Sequence, residues 1–106
     1  MNMFLPSGNQ EIQTILKKIL VTSLRIREPE RRTFCIDIGL DPSNLPFLTG
    51  GSEKSFSKEL INYLFKQNKK NSLCLLCKEL EKEIGIENIK EEFKNDFINF
   101  KEEFCN

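Results

Sequence analysis

FSKELINYLFKQNKKNSLCLLCKELEKEIG, residues 56–85, decides the fold. Phe56, Leu60, Ile61, Tyr63 and Leu64 recur at the three-and-four spacing of one helix face. The same spacing returns in Leu73, Leu76, Cys77, Leu80 and Ile84, after the polar string Asn68-Lys69-Lys70-Asn71. Two amphipathic helices on a short polar connection must bury their apolar stripes against one another. Ser72 is placed to cap the second of them, and Gly85 to close it.

The pattern extends in both directions. Upstream, Ile12, Ile15, Leu16, Ile19, Leu20 and Leu24 predict a first helix from Gln10 to Leu24, capped by Asn9 or Ser7. Glu28-Pro29-Glu30 announces a second, because proline needs no N–H partner in a first turn and acidic residues complement the helix dipole there. Phe34 and Ile38 share its face, and Gly39 can end it. Asp41-Pro42-Ser43-Asn44 is turn chemistry, and Leu45, Phe47 and Leu48, interrupted by Pro46, fit a short third helix or one irregular turn. Downstream, Ile89, Phe93, Phe97, Phe100 and Phe104 predict a last helix that is aromatic on one side. That stripe either completes the core or seeks a second chain, and a bundle this small needs the apolar area for its own core. The expected fold is all-α, a compact antiparallel bundle of five to six short helices in a single domain over residues 1–106.

Composition narrows the function. Sixteen basic residues balance sixteen acidic ones, so no global field gathers nucleic acid or an anionic membrane. The first ten residues have no basic n-region, Pro6 stops the apolar Met3-Phe4-Leu5, and no apolar run approaches the length of a membrane span. The chain therefore reads as cytoplasmic, with no membrane partner. In that setting Cys35, Cys74, Cys77 and Cys105 are expected to be reduced and partly buried, with Cys77 a small core residue.

Chemistry finds little support. The chain has no histidine, which removes the commonest neutral-pH acid/base group and the commonest metal ligand. Cys74-Leu75-Leu76-Cys77 lacks the strand that leads into a thioredoxin-type site, and zinc pairs of this spacing occupy turns, not a leucine-rich helix. Gly50-Gly51-Ser52 lacks the phosphate-loop spacing and reads as a plain connection. No catalytic residue, metal, cofactor or small-molecule substrate is expected.

The arginines are more informative. All of them, Arg25, Arg27, Arg31 and Arg32, fall between the end of the first helix and the start of the second. Guanidinium forks are enriched at interfaces and pair bidentately with carboxylates. Glu79, Glu81, Glu83 and Glu87 offer an acidic counterpart on a second molecule, against the alternative of local pairing with Glu28 and Glu30. A nucleic-acid surface built from the same arginines with Lys66, Lys69 and Lys70 lacks interleaved aromatic residues and is the alternative function.

Three segments, EPERRTFCIDIGL, LPFLTGGSEKSFSKELINYLFKQ and NSLCLLCKELEKEIG, carry a family resemblance over about Leu16 to Gly85. In this order, with the Gly39-Leu40 pair, the chain resembles the bacterial death-like domains, also called effector-associated domains. The resemblance implies a six-helix death fold without catalytic residues. It further implies an adaptor that associates with matching domains and couples a sensor or NTPase to an effector in bacterial conflict or antiphage signalling. The chain departs from the pattern in having no alanine and a phenylalanine-rich last helix.

Overall fold

The computed structural model describes residues 10–106, so the capping expected of Ser7 or Asn9 lies outside the described residues. Among them the chain is all-helical: α1 Gln10–Leu20, α2 Glu28–Asp37, α3 Glu53–Lys66, α4 Lys70–Ile84 and α5 Glu91–Phe104, with 3-10 turns at Leu24–Ile26, Pro42–Asn44 and Ile86–Asn88. No described helix is long and apolar enough to cross a membrane.

Local chemistry sets the boundaries. α1 stops at Leu20, short of the expected Leu24, because the Thr22 hydroxyl donates to the Ile19 carbonyl and the Ser23 hydroxyl accepts from the Arg25 amide. Hydroxyl side chains that bond nearby backbone in this way compete with the helix. At the end of α2, Gly39 adopts φ +85°; its amide bonds the Ile36 carbonyl and that of Leu40 bonds Cys35, the paired bonds of a Schellman cap. Asn68, at φ 56°, closes α3 in the same manner, with the Lys69 amide on the Leu64 carbonyl. α3 begins before Phe56, where the Ser52 hydroxyl accepts from the Ser55 amide. Ser72 does not cap α4, which starts at Lys70 and buries that serine in its first turn. The expected third helix is one 3-10 turn, Pro42–Asn44, capped by Asp41 and followed by irregular chain.

α4 packs on α5, α1 on α3 and α5, and α3 on α4. The α4 and α5 pair is antiparallel: Lys70 at the start of α4 reaches the Asn106 carbonyl, whereas Glu81 further along meets Lys101. The stripes meet in one core, where Leu16, Phe34, Leu60, Leu76, Cys77 and Phe97 are fully buried. Phe100 and Phe104 are buried too, and Phe104 meets Phe65 of α3 edge to face. The aromatic stripe of α5 thus completes this chain's own core.

The expectation of four reduced cysteines is corrected. Cys74 in α4 and Cys105 at the end of α5 form a disulfide with a Cα separation of 4.9 Å. Antiparallel packing brings the start of one helix to the end of the other, which sequence separation conceals. Cys35 and Cys77 remain thiols in the core.

Candidate interaction surface

The connection from α1 to α2 is pinned to α4. Glu83 accepts hydrogen bonds from the Ser23 hydroxyl at 2.7 Å and the Leu24 amide at 2.8 Å. Next to it Arg25 bridges two helices, with Nη2 2.5 Å from Asp37 of α2 and Nη1 3.1 Å from Glu79 of α4. Its guanidinium also lies 5.1 Å from the centre of the Phe34 ring. Burial works against this charge, but Asp37 and then Glu79 outweigh it and hold the guanidinium above its ordinary range.

Arg31, expected to meet a partner, does not face solvent. It is 2% exposed, and its fork is spent inside the fold: Nε donates to the Ile26 carbonyl at 2.7 Å, Nη1 to Leu48 at 3.3 Å and Nη2 to Gly51 at 2.9 Å. Ile26 ends a 3-10 turn, and Leu48 and Gly51 belong to irregular chain with no ladder or helix to satisfy their carbonyls; a side chain with five donors supplies the need. This corrects the assignment of Arg31 to the surface.

The acidic set is largely engaged within the molecule. Glu79 meets Arg25, Glu81 meets Lys101, and Glu83 holds Ser23 and Leu24. The structure therefore joins Arg25 to Glu79 in one chain, where the sequence reading placed them on opposite molecules. Arg27 and Arg32 are exposed, as is Glu87 in the last 3-10 turn. Ser43, through its hydroxyl and amide, holds the Asp41 carboxyl below its ordinary range, and the charge of Arg32 adds to the effect.

Two residues that sequence reasoning missed stand on this side. Leu24 is 57% exposed and Ile36 is 54% exposed. Each precedes a member of the Arg25 to Asp37 bridge in the chain. Arg32 lies one helical turn before Ile36 on α2 and shares its face. The signal was present: Ile36 is the apolar residue of α2 that falls off the Phe34 and Ile38 stripe.

The remaining thiols are poor nucleophiles. Burial pushes Cys35 up to about 11 and Cys77 up to about 12. Cys74 takes Cys105 as its partner and not Cys77, so the Cys-x-x-Cys spacing does not form a redox pair of its own. Among the described residues no group of three or more His, Cys, Asp or Glu side chains is arranged to hold a metal ion. No known protein family matches this chain, nor does any curated protein or any solved structure.

Proposed function

We propose that this chain is a non-catalytic adaptor domain that associates with matching domains through the outer face of α2 and the connection before it. One observation carries the reading: Leu24 and Ile36, neighbours in the chain of the paired Arg25 and Asp37, are both more than half exposed on a bundle whose other large apolar side chains are mostly buried. Exposed apolar side chains on the segments that carry a fixed charge pair supply the two ingredients of a specific interface, apolar area to release water and charge to set orientation. Arg32 and Arg27 extend it with guanidinium groups that have room to reach a partner's carboxylates.

The order of segments that resembles the bacterial death-like domains supports a homotypic partner and a place between sensor and effector in conflict signalling. In a reducing cytoplasm Cys74 and Cys105 would stand as thiols and the bundle would rest on its core alone. The test is the association state of Ile36→Asp, Leu24→Asp and Arg32→Glu by light scattering, with circular dichroism as the check on folding. All three residues are exposed, so each variant should keep its helicity while losing self-association or binding to a matching domain. Association unchanged in all three would overturn the proposed face. A gel-shift with duplex and single-stranded nucleic acid separates the alternative function, which predicts binding that falls steeply with salt.

A further inference from the structure

The two sulfurs of the disulfide differ in what reaches them. Cys74 is 7% exposed inside α4, whereas Cys105 stands exposed just past the end of α5. A groove of about 400 Å³ leads to Cys105, with Ile86 and Ile98 as its apolar walls and Lys78 and Glu102 among its charged ones; Cys74 does not line it. Lys101 and Glu81, which also line the groove, are engaged in their own ion pair. Attack from outside is therefore directed to the Cys105 sulfur. The rate of thiol–disulfide exchange depends on which sulfur is open to attack, and exposed bridges are the labile ones.

The bond also stands apart from what holds α4 and α5 together. Leu73, Leu76 and Leu80 of α4 and Phe97, Phe100 and Phe104 of α5 belong to the one core. The Lys101 to Glu81 pair joins the same two helices, and the Lys70 ammonium donates to the Asn106 carbonyl at 2.6 Å. With the bond open these contacts remain. What loses its tether is the last turn of α5, where the Cys105 amide bonds the Lys101 carbonyl at 3.0 Å. Cys35 and Cys77 are shut in the core and do not compete for a reagent.

We infer that the Cys74 to Cys105 bridge is a reversible switch, opened by attack of a small thiol of the glutathione type on Cys105. The attacking thiolate bonds to the Cys105 sulfur, the protein S–S bond breaks, and its electron pair leaves on Cys74, which takes a proton from water. A second thiolate attacks the small thiol's sulfur in the mixed disulfide, frees Cys105 and carries the first away as the oxidised small thiol. Two small thiols are thereby oxidised to a disulfide while the protein disulfide is reduced to two thiols, and the reverse sequence closes the bridge. Cys105 is the site of S-thiolation, and Cys74 is the resolving thiol that displaces the adduct. The switch is separate from the α2 face, so either proposal can fail without the other.

The experiment uses the whole chain and glutathione. Reduced Cys74→Ser protein treated with oxidised glutathione should take up one glutathione on Cys105 and keep it for want of a resolving thiol. Cys105→Ser should react at Cys74 roughly tenfold or more slowly, because that sulfur is buried. Peptide mass spectrometry locates the adduct, and circular dichroism checks that both variants are folded. In the oxidised chain without substitutions, reduced glutathione should open the bridge at a rate proportional to its concentration and faster than the protein unfolds. Adduct formed as readily on Cys74 as on Cys105, or opening that waits on unfolding, would overturn the switch. Amide NMR of the reduced chain should show its changes in the last turn of α5 and the first turns of α4 with dispersion kept elsewhere. A general loss of dispersion would make the bridge a structural bond and overturn the proposal by a second route.

Discussion

The guanidinium carbon of Arg31 lies 4.8 Å from the centre of the Phe56 ring, while the three carbonyls of Ile26, Leu48 and Gly51 accept its hydrogen bonds. The charge is solvated by backbone dipoles and a ring face, and no ion pair of the described residues involves it. One side chain thereby ties the 3-10 turn before α2 to the irregular chain before α3. Arg31→Ala would leave those carbonyls unsatisfied and should lower unfolding free energy by roughly 3 to 5 kcal/mol in urea titration. Arg32→Ala, at an exposed neighbour of the same charge, should stay within about 0.5 kcal/mol. Equal effects of the two would contradict the buried role.

Arg25 and Glu79 are about three-quarters buried by side chain, so water still screens them. A double-mutant cycle on this pair should give a coupling of about 0.5 to 1 kcal/mol that declines as salt is raised. Glu83→Ala removes both bonds to the connection and should cost about 1 kcal/mol in thermal unfolding. It should also speed amide hydrogen exchange at Leu24.

The disulfide closes a separation of 31 residues, for which chain entropy gives a stabilisation of roughly 3 to 4 kcal/mol. Reduction, or Cys105→Ser, should lower the unfolding free energy by that amount while helicity persists, since the α4 and α5 stripes are buried independently of the bond. Cys77→Ser should not affect the bridge, and mass spectrometry of the oxidised protein should show Cys74 linked to Cys105 alone.

Alkaline pH should destabilise the fold. An unfolded thiol ionises near its ordinary value, whereas Cys35 is held to about 11 and Cys77 to about 12. Above that ordinary value the unfolded chain therefore binds fewer protons than the folded one, and stability falls as pH rises. The loss begins near pH 9, the ordinary thiol value, and continues to the folded values, at up to about 1.4 kcal/mol per pH unit for each thiol. Alanine at both positions should flatten this slope in a pH series of denaturation curves. At neutral pH the two thiols should react slowly with an aromatic disulfide reagent, at a rate set by unfolding.

The helical stripes were legible because burial requires periodicity: Leu60, Ile61 and Leu64, or Leu73, Leu76 and Leu80, repeat at the pitch of a helix and have no other consistent explanation. The ends of helices were less so. Leu24 fits the period of α1 and yet lies outside it, because two hydroxyls downstream offer the backbone a competing set of bonds. The arginine cluster was legible as a concentration of one residue type, and its division was not. Arg31 and Arg32 are adjacent in sequence and opposite in fate, since a helix turns neighbouring side chains by about 100° and only the surrounding fold says which of the two directions is inside.

By itself the sequence determined that this protein is a helical bundle with a core of leucine, isoleucine and phenylalanine, because amphipathic periodicity and the placing of glycine, asparagine and proline are local properties. Tertiary structure decided which charges are buried, which carboxylates are already engaged, and which cysteines meet. Those outcomes depend on the approach of residues as far apart as Cys74 and Cys105 or Arg25 and Glu79. Such pairings are set by the packing of the helices as bodies, and nothing in the local order of residues encodes them.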